Sequence, residues 1–171
     1  MKRAIIAATV ALVIAAAGST FVRAGAASDD NAQIAALYQK FTTAFRHKDL
    51  DAIMSVYVPG DSLFVFDVGT PREHVGADSY RADWKGFLGS FKGSALPSFT
   101  ISELAVTIAG DVAYSHSIQH ITGATQGGPS SLTVRVTDVL RKVDGKWLIV
   151  QEHVSVPIDF NTMKPDLMSR P

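Results

Sequence analysis

The chain has 171 residues, 47% of them hydrophobic and 19% charged, with 16 Lys plus Arg set against 16 Asp plus Glu. That is the size and composition of one ordinary domain, and a formal net charge of zero lacks the basic face that a nucleic-acid binder turns toward phosphates. The absence of cysteine excludes a disulfide, a thiolate nucleophile and a Cys-ligated zinc.

The chain opens on Met1, Lys2 and Arg3, continues through an apolar run over residues 4–17, and reaches small residues at Ala24, Gly25 and Ala26. This pattern predicts a cleaved signal peptide over residues 1–26. A membrane-spanning helix needs ~20 apolar residues, and here Gly18, Ser19, Thr20 and Arg23 interrupt the run. The expectation is therefore a periplasmic or secreted domain over residues 27–160, with a tail over 161–171 and no membrane attachment after cleavage. Loss of Lys2, Arg3 and Arg23 would leave that domain mildly acidic.

Ser28 is placed to cap a helix whose apolar stripe is Ile34, Leu37, Phe41, Ala44 and Phe45. Asp49 is placed to cap a shorter helix carrying Leu50, Ile53, Met54 and Tyr57, which Pro59, Gly60 and Asp61 end. Residues 63–67 are short, apolar and aromatic, and predict a buried strand. A third helix starts near Gly76 with the stripe Tyr80, Trp84, Phe87, Leu88 and Phe91, and stops before Gly93, Ser94 and Pro97. Four β-rich runs follow, over residues 99–108, 112–122, 132–143 and 147–156. Asp144-Gly145 between the last two is a dipeptide suited to a tight hairpin turn. The order predicts an α+β domain with helices gathered on one face of an antiparallel sheet. The polar residues 161–171, with two prolines, predict a loose tail.

The opening Phe41, Phe45, Asp49, Leu50, Asp51, Ala52 and Ile53, the helix near 76–91 with Trp84, and the closing Asp144, Gly145, Lys146, Trp147, Ile149, His153, Ser155 and Pro157 together resemble a known family. They are similar to the SnoaL-like and ketosteroid isomerase-like proteins of the nuclear transport factor-like cone fold, over roughly residues 32–158. The resemblance implies a cone-shaped curved antiparallel sheet wrapped around an N-terminal helix hairpin and a third helix. It also implies an apolar cavity for a small ligand and pairing into a homodimer through the outer face of the sheet. The family includes isomerases, polyketide cyclases and dehydratases, and also pocket proteins and association modules without known chemistry.

Asp67 falls on the family's general base, after allowing two extra residues at Pro59-Gly60; it could equally cap the turn that follows it. A carboxylate against apolar walls has a raised pKa and suits proton removal next to a carbonyl. The resemblance puts Phe41 where the isomerase has an oxyanion-hole tyrosine, and Asp138 where it has a protonated aspartate. Phenylalanine cannot donate a hydrogen bond, so ketosteroid isomerisation itself is not expected, although Tyr38 lies one turn away.

Alternation groups Tyr114, His116, Ile118 and His120 on one face, the one that lines the cavity in the family. His116 and His120 cannot share one ion, because four strand residues span ~13 Å. On the last strand the face of Trp147, Ile149, Gln151, His153 and Ser155 is taken as inward, where His153 would join Arg135 and Thr137. The reversed register would instead send Val134, Val136, Asp138 and Leu140 inward. His74 and His47 read as solvated.

The candidate catalytic residues are thus Asp67, His116 and His153. The candidate ligand-binding residues are Tyr38, Phe41, Trp84, Tyr114, His120, Arg135, Thr137 and Asp138, and no metal or cofactor is expected. No phosphate-binding loop, nucleophile elbow, zinc-protease motif or calcium loop is present in the sequence. The expected function is binding of a small apolar molecule with acid–base proton transfer of isomerase, dehydratase or cyclase type. The alternatives are a non-catalytic ligand-binding protein and a dimeric interaction module.

Overall fold

The computed structural model describes residues 20–92 and 96–168, so most of the signal segment expected over residues 1–26 lies outside the described residues. Helix α1 (Thr20–His47) starts upstream of Ser28, which therefore lies within the helix and does not cap it. Its buried stripe, Ile34, Leu37, Tyr38, Phe41, Ala44 and Phe45, recurs at steps of three and four and faces the sheet. Lys48, with φ of 55°, turns the chain into α2 (Leu50–Met54), where Asp49 Oδ1 accepts from the Ala52 N–H at 3.0 Å as the capping pattern predicts.

Strand β1 (Phe64–Phe66) pairs antiparallel with β2 (Glu73–Val75). The second of these corrects the expected solvated loop: His74 lies opposite Val65 and is only 4% exposed. A three-residue strand has one inward position, so its sequence carries no alternation to detect. Helix α3 (Ala77–Ser90) follows and buries Tyr80, Trp84 and Leu88.

The meander consists of β3 (Ser98–Ala109), β4 (Val112–Thr125), β5 (Gly128–Val143) and β6 (Lys146–Ser155). Asp144 and Gly145 both have positive φ, 49° and 78°, which is the turn expected of that dipeptide. Strand order in the sheet is β2-β1-β6-β5-β4-β3, and β1 runs parallel to β6. The sheet is therefore mixed: α3 and the whole meander intervene before the chain returns beside β1. Two bulges bend it. One lies between Ser102 and Ala105 of β3, with Glu103 at φ 52°; the other makes Val150 an extra residue on β6 opposite Val139 and Leu140.

The helices fill the concave side through an aromatic cluster. The Phe45 ring meets Phe99 at 4.8 Å, Phe91 at 5.8 Å, Phe87 at 6.1 Å and Trp84 at 6.2 Å between centroids. Gly123 is required beside it, because a Cβ there would run into the Phe91 ring. The C-terminal segment is not loose up to residue 168. Strands β7 (Ile158–Asp159) and β8 (Lys164–Pro165) pair with each other, and the Thr133 N–H donates to the Leu167 carbonyl at 2.8 Å, covering the stretch of β5 that β6 leaves unpaired. Among the described residues, no helix is long and apolar enough to cross a membrane.

Candidate functional site

Alternation along β4 and β5 produces two faces, and packing selects between them. The buried face of β4 is Ala113, Ser115, Ser117, Gln119 and Ile121; that of β5 is Val134, Val136, Asp138 and Leu140. The expectation that Tyr114, His116 and His120 point inward is thus corrected: they lie on the opposite face, with Tyr114 53% exposed. The small side chains of Ala113, Ser115 and Ser117 leave room for α1, whereas a Tyr-His-Ile-His face would not. On β6, Trp147 and Ile149 face inward as expected, but the extra residue Val150 advances the pattern by one. Glu152 is then buried in place of His153. Arg135, Thr137 and His153 do neighbour one another, Thr137 lying opposite His153, but on the exposed outer face, where the His153 ring rests on Phe66 at 5.6 Å.

What the inner face brings together instead is a carboxyl pair. Asp138 and Glu152 are direct cross-strand partners, and both are buried. Tyr38 Oη donates to Asp138 Oδ2 at 2.7 Å and lies 2.5 Å from Ser115 Oγ. Tyr57 Oη donates to Glu152 Oε2 at 3.0 Å, and Tyr80 Oη to Oε1. Asp138 Oδ1 has no hydrogen-bond partner among the described residues. Burial pushes Asp138 up to about 6, against the interactions with Tyr38, Glu152 and Ser115 that favour its charged form. Burial and then the Asp138 charge push Glu152 well above the usual carboxyl range. Two carboxyls in one dry site disfavour each other's charge, and both are raised. Burial, followed by these carboxylates, raises all three tyrosines, so they remain donors.

Next to this pair lies a cavity of about 430 Å³. Its walls are largely apolar and aromatic, including Phe41, Trp84, Phe87, Phe99, Ile121 and Val134, and Tyr80 and Glu152 reach it from the carboxyl pair. Trp84 has a buried Nε1–H with no partner among the described residues. Tyr38 and Asp138 do not line the cavity; Asp138 lies beside Glu152, its cross-strand partner, which does. Asp67 lines it, at the end of β1, together with Asp83 of α3. Asp67 Oδ1 accepts from the Val68 N–H at 2.5 Å, the turn-capping bond its sequence position allows, and Oδ2 lies 4.0 Å from His74 Nε2. Burial and then the Asp67 charge raise Asp83.

Glu152, Tyr57, Tyr80, His74 and Asp83 had no part in the expected site. Strict alternation places Glu152 outside, and only the bulge reverses it. The two tyrosines sit at helical core positions that do not disclose where the hydroxyl points.

Comparison with known proteins gives a consistent outcome. Residues 34–159 match the SnoaL-like domain family. Among solved structures the chain is similar to an NTF2-like protein of unknown function from Pseudomonas putida, with 26% identity, 84% of this chain and 98% of that one covered, and a TM-score of 0.74. It is also similar in fold to an NTF2-like superfamily protein from Salmonella enterica (15% identity, 78% and 95% covered, TM-score 0.68). A third similar structure is a candidate dehydratase of the NTF2-like family from Streptomyces avermitilis (16% identity, 78% and 99% covered, TM-score 0.67). No curated protein matches the chain.

Proposed function

The chain belongs to the SnoaL-like domain family, and from that premise we propose that its cone binds a small, mostly apolar molecule bearing a carbonyl or hydroxyl oxygen and moves a proton on it by acid–base chemistry. The observation that carries this is the buried Glu152 carboxyl, bonded to Tyr80 and facing an otherwise apolar cavity, where burial favours its neutral form. An apolar site with a few convergent polar groups and a perturbed carboxyl suits a small ligand with one polar end. The unpartnered Trp84 Nε1–H gives that ligand an acceptor to supply. Glu152 gives or shares a proton at the oxygen, in a dry site where such a bond is strongest, and the carboxyls of Asp67 and Asp83 stand on another part of the wall to take one.

The test uses 2-naphthol as a fluorescent binding probe and 2-tetralone as a substrate for α-deuterium exchange. Glu152→Gln is expected to slow exchange ~10–100-fold, at the lower end of what a general acid contributes, with 2-naphthol affinity nearly unchanged. Exchange unchanged by Glu152→Gln would refute the role of Glu152, and exchange by the unaltered protein no faster than in buffer would leave only the non-catalytic pocket reading.

Pairing through the outer face of the sheet is proposed as well. That face presents Phe66, Val112 and Tyr114 to solvent, together with the Arg135, Thr137 and His153 group, an aromatic and arginine content typical of interfaces. Light scattering at micromolar concentration is expected to give the mass of two chains; the mass of one would refute it.

A further inference from the structure

We propose that Asp67, His74 and Asp83 form a binding site for one divalent cation of the Zn²⁺ or Mn²⁺ class, set in the wall of the ligand cavity. One ligand atom from each of the three residues lies within 4.8 Å of the others. His74 Nε2 is 4.0 Å from Asp67 Oδ2 and 3.9 Å from Asp83 Oδ1. A cation held at roughly 2.0–2.2 Å from each donor needs them about 3–3.5 Å apart, so the group must close by about 1–2 Å at its widest separation. Asp83, with 36% of its side chain exposed, is free to make that adjustment.

The imidazole supplies an observation that the carboxylates alone do not. His74 is 4% exposed, and its Nε2 is buried without a hydrogen-bond partner among the described residues. A buried ring nitrogen left unsatisfied costs free energy unless something fills its lone pair or takes its proton. Nδ1 lies 3.2 Å from Ser79 Oγ. With Nδ1–H donating there, the lone pair of Nε2 points between the two carboxylates, which is the outer bond that orients a metal-bound histidine. The Tyr80 ring, 5.5 Å away, packs beside the imidazole. Among the described residues neither carboxylate has a Lys or Arg partner; His74 is the only basic group within ion-pair distance of either. Two carboxylates and one neutral imidazole leave a net negative pocket. Mixed nitrogen and oxygen donors select Zn²⁺, Mn²⁺ or Fe²⁺ over the all-oxygen preference of Ca²⁺ or Mg²⁺.

Asp67 and Asp83 also line the cavity, so the remaining coordination positions face it, and an oxygen of the bound molecule or water completes the shell. Where the acid–base reading holds, a cation-bound water, not a bare carboxylate, is then the proton acceptor on this wall; the cation site itself does not depend on that reading.

Titration of the metal-stripped full chain with Zn²⁺ alone, and separately with Mn²⁺, tests the site by calorimetry. One Zn²⁺ per chain is expected. Asp83→Asn and Ser79→Ala should each weaken it ~10-fold or more, the loss typical of disturbing a ligand or the group that orients one. Both positions are partly or wholly exposed, so both variants should fold, which circular dichroism checks; His74→Gln serves as the third. Absence of saturable one-to-one binding, or binding unchanged by Asp83→Asn, overturns the proposal. Retained Zn²⁺ binding without 2-naphthol binding would instead refute only the cavity reading.

Discussion

Stability against urea is expected to fall by about 3 kcal/mol as the pH rises from 4 to 7, because one pKa unit is worth ~1.4 kcal/mol and Asp138 is displaced upward by roughly two. In the folded chain burial holds Asp138 up at about 6, against 3.8 for a free aspartate. Between these values the folded state keeps a proton that the unfolded state has released, so each increment of pH favours unfolding. Below pH 4 both states are protonated and above 6 both are ionised, and the contribution is constant. Glu152 is raised as well, with the same sign, and extends the decline to higher pH. Asp30 and Asp159 act oppositely. Their carboxyls are held low, Asp30 by bonds from Lys142 and Trp147 and Asp159 by bonds from the Asn161 backbone and Thr162, so their contribution is present at neutral pH and lost in strong acid. Maximum stability should therefore lie in mild acid. Urea unfolding followed by circular dichroism at pH 4.5 to 7.5 checks this, with Asp138→Asn as the informative variant. Asparagine keeps an acceptor for Tyr38 and Ser115 but cannot ionise, so the slope should flatten. A variant with the same pH dependence as the parent would show that the charge resides elsewhere.

The larger loss is expected from Phe45→Ala, at about 3–5 kcal/mol, the usual range for removing a large buried side chain and leaving a cavity. Phe45 has no exposed surface and meets the rings of Trp84, Phe87, Phe91 and Phe99. It therefore joins α1 to α3 and to the first strand of the meander. Edge-to-face pairs add ~0.5–1.5 kcal/mol beyond area burial, and the neighbours cannot collapse into the space, because each is itself held by another element. In a thermal melt the change should exceed roughly 10 °C. Phe45 does not line the ligand cavity, so 2-naphthol should still bind below the new transition. A loss under ~1 kcal/mol would mean that the cluster is less tightly packed than its ring geometry indicates.

Much of the architecture is legible in the sequence. The three-and-four spacing of Ile34, Leu37, Phe41 and Phe45, the Asp49 cap and the Asp144-Gly145 turn all reappear as expected. The site is legible only in part. Asp67, Phe41 and Trp84 line the cavity, and Tyr38 and Asp138 do bond to each other, although behind the cavity. The resemblance predicts His116 inward and the grouping with Arg135 and Thr137 predicts His153 inward, and both lie outside. For His116, both faces of β4 mix polar and apolar residues, so pattern alone could not choose. For His153, a single extra residue at Val150 reverses every position after it. His74 reads as a loop histidine because β2 has one buried position, so no alternation marks it as facing Asp67 and Asp83.

Local spacing and turn chemistry by themselves determined the α+β order, the helix stripes and the hairpin, because those features are set by backbone periods within a few residues. Only the tertiary structure decided which face of each strand lines the cone. That choice depends on small side chains making room for α1, contacts such as Tyr38 with Ser115 that join residues 77 positions apart, and on a bulge that arises from pairing with β5. The buried Asp138–Glu152 pair and the His74 group are products of that choice.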